Sequence, residues 1–180
     1  MNQVLPKYHP VGIIIIRLIN TDRSVCFIGG KVKALVHLTE IRTRYCESDA
    51  LGHINNVSYF IYFEQARVDF LLDSGMVLPS EKFPFLVASL HCDYKKQVYI
   101  NQSLKIHTYV MDIGRSSFKL GHEIHDKDSN ELLAVGEAVL VSYDLIAEKT
   151  TRLSDELRFK LENYVRVEIN NSKGVKSSDV

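Results

Sequence analysis

The chain has 180 residues, of which 46% are hydrophobic and 24% charged, as in an ordinary globular protein and unlike a disordered or collagen-like chain. Lys and Arg together number 22, as do Asp and Glu, so the formal net charge is zero. That balance disfavours a nucleic-acid binder that relies on a basic field. The length predicts one domain with a core large enough to need no covalent cross-links.

The cysteine pattern and the absence of long apolar runs bear on the compartment. Cys26, Cys46 and Cys92 form no C-x-x-C pair, and their number is odd. We therefore expect neither a disulfide framework nor a thiolate zinc site, and we predict the reducing cytoplasm. The apolar stretch 11–16 stops at Arg17, far short of a membrane span, so we expect no span and no signal peptide.

Residues 1–36 differ from the rest of the chain. They contain a strand-like run at 12–19 and a Gly29-Gly30 break. One interpretation is a peripheral hairpin. The other is a translated leader, because Gly-Gly-Lys before Val32 could be encoded by a purine-rich ribosome-binding stretch followed by a GTG start codon. We therefore keep 1–36 apart as an N-terminal extension.

From His37 onward the elements follow from the sequence pattern. Residues 37–45 predict a strand, 47–56 a loop, and 57–73, which lack Gly and Pro, a helix of more than four turns. The polar residues of that helix form one narrow arc, at Ser58, Tyr62, Gln65, Asp69 and Asp73. A helix that is apolar over the rest of its circumference must be enclosed, so we predict a sheet wrapped round it.

Four more strands are predicted, at about 84–94, 102–113, 116–127 and 131–143. Short connections between the last three favour antiparallel hairpins. Both faces of the final strand are apolar, and the face that the helix does not use would be exposed in a monomer. We therefore infer a homo-oligomer, either a homodimer or a homotetramer.

The C-terminal part is simpler. Within a segment at 145–170, Ser154 followed by Asp155 and Glu156 predicts the start of a short packing helix. Residues 171–180 are small and polar and predict a disordered tail.

The loop from Arg44 to Asn56 carries the candidate chemistry. It leads into a helix N-terminus, where unpaired N–H groups and the positive end of the dipole favour an anion or a developing oxyanion. Asn55 or Asn56 would cap that helix, Gly52 permits a tight turn, and Asp49 lies just upstream. Asp, Gly and Asn also populate ordinary turns, so composition alone leaves a purely structural role open.

The loop and helix together resemble a family signature. The residues are Arg44-Tyr-x-x-x-Asp49-x-x-Gly52-His53-x-Asn55-Asn56-x-x-Tyr59, followed by Tyr62-Phe63-Glu64-x-x-Arg67. This pattern is similar to that of hotdog-fold acyl-CoA thioesterases of the 4-hydroxybenzoyl-CoA thioesterase type, and the resemblance covers about residues 37–144. It implies an α+β fold in which a curved antiparallel five-stranded sheet wraps around a long central helix. It also implies a dimer with active sites where the subunits meet.

The resemblance implies roles for single residues. Asp49 matches the family's catalytic carboxylate, acting as general base or as nucleophile. The Asn56 N–H matches the donor that polarises the thioester carbonyl, although some relatives carry His at that position. The implied reaction is hydrolysis of an acyl-CoA, or of an acyl carrier protein thioester, without a cofactor or metal. In keeping with this, the sequence contains no H-E-x-x-H, G-x-S-x-G or P-loop motif.

Other candidate residues each have a structural alternative. Glu64 is either an auxiliary catalytic carboxylate or the ion-pair partner of Arg67 three residues later. His53 either orients substrate or is an ordinary loop histidine, and His122 is expected to be a hydrogen-bonded core or interface histidine. The candidate substrate-binding residues are Gly52, Asn55, Tyr59, Lys95, Lys96, Arg115 and Ser116. The basic members of this set would meet coenzyme A phosphates.

Two further functions stay open at this point. One is a module that binds or senses acyl thioesters without cleaving them. The other is dehydratase or hydratase chemistry on the same fold, which needs a His and a carboxylate in facing roles. Only His53, with Asp49 or Glu64, offers that combination, and fold alone does not separate the functions.

Overall fold

The computed structural model describes residues 7–8, 13–17, 23–28, 31–80 and 82–166, with side chains from residue 35 onward. The strands are β1 (Lys7–Tyr8), β2 (Ile13–Arg17), β3 (Arg23–Ile28), β4 (Lys31–Arg42), β5 (Phe85–Tyr94), β6 (Ser103–Ile113), β7 (Ser117–Asp126), β8 (Leu132–Asp144) and β9 (Lys149–Thr150). The helices are a 3₁₀ turn (Tyr45–Glu47), α1 (Asn56–Asp73) and α2 (Asp155–Glu162). The Gly29-Gly30 break and the predicted tail lie outside the described residues.

The sheet confirms the predicted hotdog architecture. Its strands are antiparallel in the order β1-β2-β3-β4-β6-β7-β8-β5, with β9 paired to β8. The five strands β4, β6, β7, β8 and β5 form the predicted sheet, and α1 packs against one face of it. The predicted strand bounds hold within about two residues except for β4. That strand starts at Lys31 instead of residue 37, because its first half pairs with β3 and extends the sheet beyond the predicted edge.

Helix α1 begins one residue earlier than predicted and exposes a different face. The Asn55 side chain caps it, as expected, by accepting a hydrogen bond from the Val57 N–H. The predicted polar arc is wrong, because Ser58 and Tyr62 are buried while Val57 and Ile61 are exposed. Tyr62 can face the core because its hydroxyl is hydrogen-bonded there. The described part of the sheet therefore covers only one side of α1.

A polar row divides the core into two apolar clusters. His37, Thr108, His122 and Gly136 lie opposite one another across β4, β6, β7 and β8. Phe63 of α1 stacks on His122 with ring centroids 5.3 Å apart, and its ring would lie 2.5 Å from a Cβ at position 136. Only glycine fits there without displacing the ring. His122 is buried as predicted, but it is only half satisfied, since Nδ1 bonds to Thr108 and Nε2 has no hydrogen-bond partner among the described residues.

Strand β5 carries several exposed apolar side chains. Within the described residues β5 pairs only with β8, so its other edge is open. Its exposed apolar side chains are Leu86, Val87, Leu90 and Tyr94. The outer side chains of β8, predicted to be exposed, are instead half-buried. An association surface is therefore better placed at the β5 edge.

Candidate active site

A cleft of about 410 Å³ opens beside the N-terminus of α1. Its walls come from the loop before α1, the first turn of α1, and the chain that leaves β5. The lining residues are Asp49, Leu51, His53, Ile54, Asn56, Tyr59, Tyr94, Lys95, Lys96, Gln97 and Val98. Six of the predicted site residues are thus brought together, namely Asp49, His53, Asn56, Tyr59, Lys95 and Lys96.

The loop holds the Asp49 carboxylate in one orientation. The Gly52 N–H donates to the Asp49 carbonyl at 3.2 Å, and Gly52 has φ +80, a conformation that favours glycine. Asp49 Oδ1 accepts hydrogen bonds from the N–H groups of Leu51 at 2.8 Å and His53 at 3.1 Å. In the described part of the chain Oδ2 accepts none. One carboxylate oxygen therefore anchors the side chain, and the other is available to a ligand in the cleft.

The start of α1 provides an unused donor. Asn55 satisfies two of the first amides, since its side chain accepts from Val57 at 3.0 Å and its carbonyl from Ser58 at 2.9 Å. The Asn56 N–H makes no hydrogen bond to any described residue. It lies at the positive end of the helix dipole, on the wall of the cleft. This donor can bind a carbonyl oxygen that gains negative charge.

Glu47 is a buried carboxylate that supports the loop and that we did not single out from the sequence. It accepts a 2.6 Å hydrogen bond from the Tyr62 hydroxyl and a 2.8 Å bond from Arg44 Nε. Burial alone would raise its pKa, but the bonds from Tyr62 and Arg44 hold the pKa below its usual value. The Glu47 carbonyl also accepts from the Asn55 N–H at 2.8 Å. Glu47 therefore ties the loop to the N-terminus of α1.

Two tyrosines form an aromatic wall of the cleft. The Tyr59 and Tyr94 rings meet edge to face, with centroids 4.9 Å apart. Tyr94 donates to the Asn56 carbonyl at 3.1 Å, so it also fixes the first turn of α1. Burial raises the pKa of Tyr59 to about 12, so its phenol stays neutral near neutral pH. Tyr94 was missed in the sequence because only the pairing of β5 with β8 places it here.

Lys95 and Lys96 provide positive charge at the rim. Both backbone N–H groups donate to the Leu133 carbonyl, at 2.8 and 2.9 Å, which fixes where the side chains leave the chain. The Lys95 ammonium is 3.4 Å from an Asp93 carboxylate oxygen, and Lys96 bonds to Glu131. All four side chains are exposed, so an incoming anion can compete with these ion pairs.

Glu64 and Arg67 do not form an ion pair, so the prediction that Glu64 is the ion-pair partner of Arg67 is wrong. Glu64 lies on the exposed side of α1 and does not line the cleft, whereas Arg67 is 6% exposed. No ion pair joins them among the described residues, and Arg67 Nη1 is buried without a hydrogen-bond partner. Helical spacing allows such a pair, but packing against the sheet draws Arg67 into the core.

Four predicted substrate-binding residues do not line the cleft. Gly52 and Asn55 act through the backbone turn and the helix cap. Arg115 and Ser116 lie in the β6–β7 hairpin, beside the end of β8 that pairs with Phe85. The cleft lies at the other end of β8, where Tyr94 pairs with Ala134.

Side chains that can bind a metal ion lie close together outside the cleft. Among the described residues, one group of three such side chains lies within reach of a single ion, at His107, Glu123 and His125 on the sheet face opposite α1. Burial lowers the pKa of His107 to about 4. Burial would raise the pKa of Glu123, but bonds from His125 and Arg166 lower it to about 2. Near neutral pH His107 is therefore uncharged and Glu123 ionised.

Comparison with known proteins establishes the family. Residues 42–161 match the model of the thioesterase-like superfamily. The chain belongs to this superfamily. The chain is accordingly an enzyme, a thioester hydrolase, whereas the narrower 4-hydroxybenzoyl-CoA type stays a prediction.

Individual relatives agree with that assignment. The long-chain acyl-CoA thioesterase FadM of Escherichia coli K12 is 28% identical over 130 residues, which are 71% of this chain and 98% of FadM. The uncharacterised protein YsmA of Bacillus subtilis 168 is 32% identical over 117 residues, 65% of this chain and 79% of YsmA. A predicted thioesterase from Bacillus stearothermophilus superposes with a TM-score of 0.67 at 27% identity, covering 73% of this chain and 97% of its own. No helix in the described ranges is long and apolar enough to cross a membrane.

Proposed function

We propose that this thioester hydrolase cleaves acyl-CoA thioesters to free acid and coenzyme A in the cleft beside α1. The observation that carries the proposal is that Asp49 lines the same cleft as Asn56, whose N–H makes no hydrogen bond to any described residue. One group supplies a base or nucleophile, and the other a donor for the oxygen that becomes negative. Those are the two functions that thioester hydrolysis needs.

The Asn56 N–H would stabilise the tetrahedral intermediate. As the carbonyl carbon is attacked, its oxygen gains charge and its hydrogen bond to this N–H strengthens. Loss of one such donor typically costs about 10² to 10³ in rate. The departing thiolate needs no strong acid, which fits a cleft whose phenol at Tyr59 stays neutral.

Asp49 would act through Oδ2, the oxygen that the loop does not use. As a general base, Oδ2 takes a proton from the water that attacks the thioester carbonyl. As a nucleophile, Oδ2 attacks that carbonyl itself, the C–S bond breaks as the coenzyme A thiolate leaves, and water then opens the resulting anhydride to free acid and the Asp49 carboxylate. Both routes need the fixed carboxylate orientation that the Leu51 and His53 amides provide.

Coenzyme A is the carrier that the cleft favours. Lys95 and Lys96 lie at its rim, where their ammonium groups can bind phosphates. FadM, a matching relative that covers most of the family domain, is named as a long-chain acyl-CoA thioesterase. An acyl carrier protein offers one phosphodiester and would instead need a protein contact surface.

The open β5 edge supports the proposed homodimer or homotetramer. Its unpaired backbone groups and exposed apolar side chains suit pairing with β5 of a second copy. Antiparallel pairing of two identical strands places the Phe85 end of one beside the Tyr94 end of the other. The β6–β7 hairpin of the second copy, with Arg115 and Ser116, would then approach this cleft.

The location of the protein in the cytoplasm remains a prediction.

A thiol-release assay tests the proposal. We expect the purified chain to release free thiol from at least one of short-chain, long-chain and aromatic acyl-CoAs, and more slowly from the matching acyl carrier protein. Equilibrium binding of the same ligands is measured in parallel. Tight binding without thiol release would indicate the sensing module instead, and hydration of an enoyl-CoA without thiol release would indicate hydratase chemistry.

A further inference from the structure

Three side chains converge on the face of the sheet opposite α1. His107 of β6 lies directly across from Glu123 of β7, and His125 is two residues further along β7, so all three point to the same face. One ligand atom from each lies within 4.8 Å of the others. The inward neighbours Ile106 and Ile124 belong to the core on the other face. This cluster is therefore separate from the side of the sheet that holds α1.

The spacing within the cluster suits a metal ion. His125 Nε2 and Glu123 Oε2 are 3.4 Å apart. Two ligands that are each about 2.1 Å from a tetrahedral zinc ion also lie about 3.4 Å apart. The His107 and His125 rings are tilted by 44° with centroids 4.9 Å apart, so the two imidazoles do not stack face to face. An ion can thus reach a nitrogen of each ring and one carboxylate oxygen.

Both ring nitrogens of His125 face groups that can only accept a hydrogen bond. Nδ1 is 3.3 Å from the Asn130 carbonyl oxygen, and Nε2 is 3.4 Å from a Glu123 carboxylate oxygen. A neutral imidazole has a single N–H and satisfies only one of these two acceptors, so a second proton or a cation is needed at the other. A histidine that donates one N–H to a backbone carbonyl and binds metal through its other nitrogen is the usual arrangement in metal sites.

The turn that supplies the Asn130 carbonyl is itself held in place. The Asp126 carboxylate accepts from the N–H groups of Asp128 at 3.0 Å and Ser129 at 2.7 Å. This keeps the carbonyl at a fixed position beside the His125 ring. His107, by contrast, makes no hydrogen bond in the described part of the chain, so its ring nitrogens are not committed to the fold.

Arg166 opposes metal binding without blocking it. Its guanidinium bonds to Glu123 Oε1 and lies over the Tyr109 ring, 4.6 Å from the centroid. It therefore uses a different carboxylate oxygen from the one that faces His125. A bound cation must tolerate this positive charge, so we expect weaker affinity than in a site without an arginine.

We propose that His107, Glu123 and His125 bind one zinc ion that links β6 to β7, with water completing its coordination. Two imidazoles and a carboxylate form a common zinc donor set. Because the ion would fasten adjacent strands and, through Asn130, the β7–β8 turn, its effect would be on stability. The spacing of these residues in the sequence does not predict the site, because only the register of β6 against β7 brings the ligands together.

Zinc titration of the full chain tests the proposal. After treatment with EDTA, the protein is titrated with ZnCl₂ by calorimetry, and we expect one zinc per chain. Glu123→Gln and His107→Gln should each weaken binding by at least about 10-fold, because the loss even of an outer-shell partner of a metal ligand typically costs about 10- to 100-fold in affinity. His91→Gln is the matched control, since His91 and Asp93 form an exposed pair elsewhere, and it should bind as the wild type does.

A second measurement is needed because Glu123→Gln also removes the ion pair with Arg166. Zinc should raise the melting temperature of the wild type and of His91→Gln, but not of His107→Gln, whose native ring makes no hydrogen bond to the described residues. Co²⁺ should give the visible absorption of a protein-bound tetrahedral ion in the wild type but not in His107→Gln. Absence of saturable zinc binding in the wild type, or equal affinity in His107→Gln, would overturn the proposal.

Discussion

The Tyr62 hydroxyl in α1 donates a 2.6 Å hydrogen bond to the buried Glu47 carboxylate in the loop that precedes the same helix. A hydrogen bond to a charged group contributes about 1.5 to 3 kcal/mol. We therefore expect Tyr62→Phe to lower the free energy of unfolding by that amount, measured by urea denaturation near neutral pH. Since Glu47 also holds the Asn55 amide, the variant should hydrolyse thioesters more slowly than the wild type.

The matched control for Tyr62→Phe is Tyr143→Phe. The Tyr143 hydroxyl makes no hydrogen bond to the described residues, so its removal should change the free energy of unfolding by less than about 0.5 kcal/mol. Equal losses in the two variants would show that the bond to Glu47 contributes nothing.

The buried His122 imidazole predicts acid sensitivity. Burial, and to a smaller extent the charge of Arg67, lowers its pKa from 6.5 to about 3. Thr108 and Phe63 pack against the same ring and offer no anion. Below about pH 6.5 the unfolded chain takes up a proton at this histidine while the folded chain does not. The free energy of unfolding should therefore fall with falling pH, by up to about 1.4 kcal/mol per unit from this group.

Substitution isolates that contribution from the other titrating groups. In His122→Gln the part of the pH dependence between about pH 6.5 and pH 4.5 that comes from the imidazole should disappear, as measured by urea unfolding at several pH values. The difference in the free energy of unfolding between the wild type and His122→Gln should then become smaller as the pH falls. Parallel curves for the two proteins would mean that the folded state does not exclude the His122 proton.

Lys95 at the rim of the cleft should affect binding more than turnover. Exposed charge pairs contribute up to about 1 kcal/mol, so Lys95→Gln should raise KM for acyl-CoA by about 2- to 5-fold and leave kcat within about 2-fold. The KM of the wild type should also rise more steeply with salt than that of the variant. Lys82→Gln removes an exposed lysine that does not line the cleft. The same KM change in that control would remove Lys95 from the substrate site.

The β5 edge can be tested with a charge. Val87 is 43% exposed on this open strand, and a lysine there would be buried if two copies paired through β5. We expect Val87→Lys to shift the mass measured by light scattering towards the monomer. Ile146→Lys is the control, because Ile146 is 97% exposed in the turn after β8. An unchanged assembly in Val87→Lys would place the interface elsewhere.

Local sequence patterns were enough to predict the helices and strands. They were not enough to predict the contacts between these elements. The Asn55 cap, the Gly52 turn and the strands follow from nearby residues, so the sequence predicts them well. Helix α1 is apolar on almost every side, which leaves its orientation undetermined. For that reason the predictions that Tyr62 lies on an exposed polar arc and that Glu64 pairs with Arg67 were wrong. Glu47 with Tyr62, and His107 with Glu123, meet only after the chain has folded.

The candidate site divides in the same way. Asp49, His53 and Asn56 lie within one loop, so their proximity follows from sequence. Tyr94 lies 38 residues from the Asn56 carbonyl to which it donates, and strand pairing alone brings it there. Arg115 lies at the opposite end of β7 and β8 from the cleft, a separation that no spacing in the sequence reveals.

The value of kcat for thiol release by Asp49→Asn, measured on the best acyl-CoA substrate, tests the proposed mechanism most directly. Asp112→Asn makes the same chemical change at an exposed site that does not line the cleft. We expect kcat to fall by at least about 10²-fold in Asp49→Asn, with acyl-CoA still bound, because positioned proton transfer supplies about 10² to 10⁴. The control should keep the wild-type rate. Wild-type turnover in Asp49→Asn would contradict the assignment of this carboxylate to the reaction.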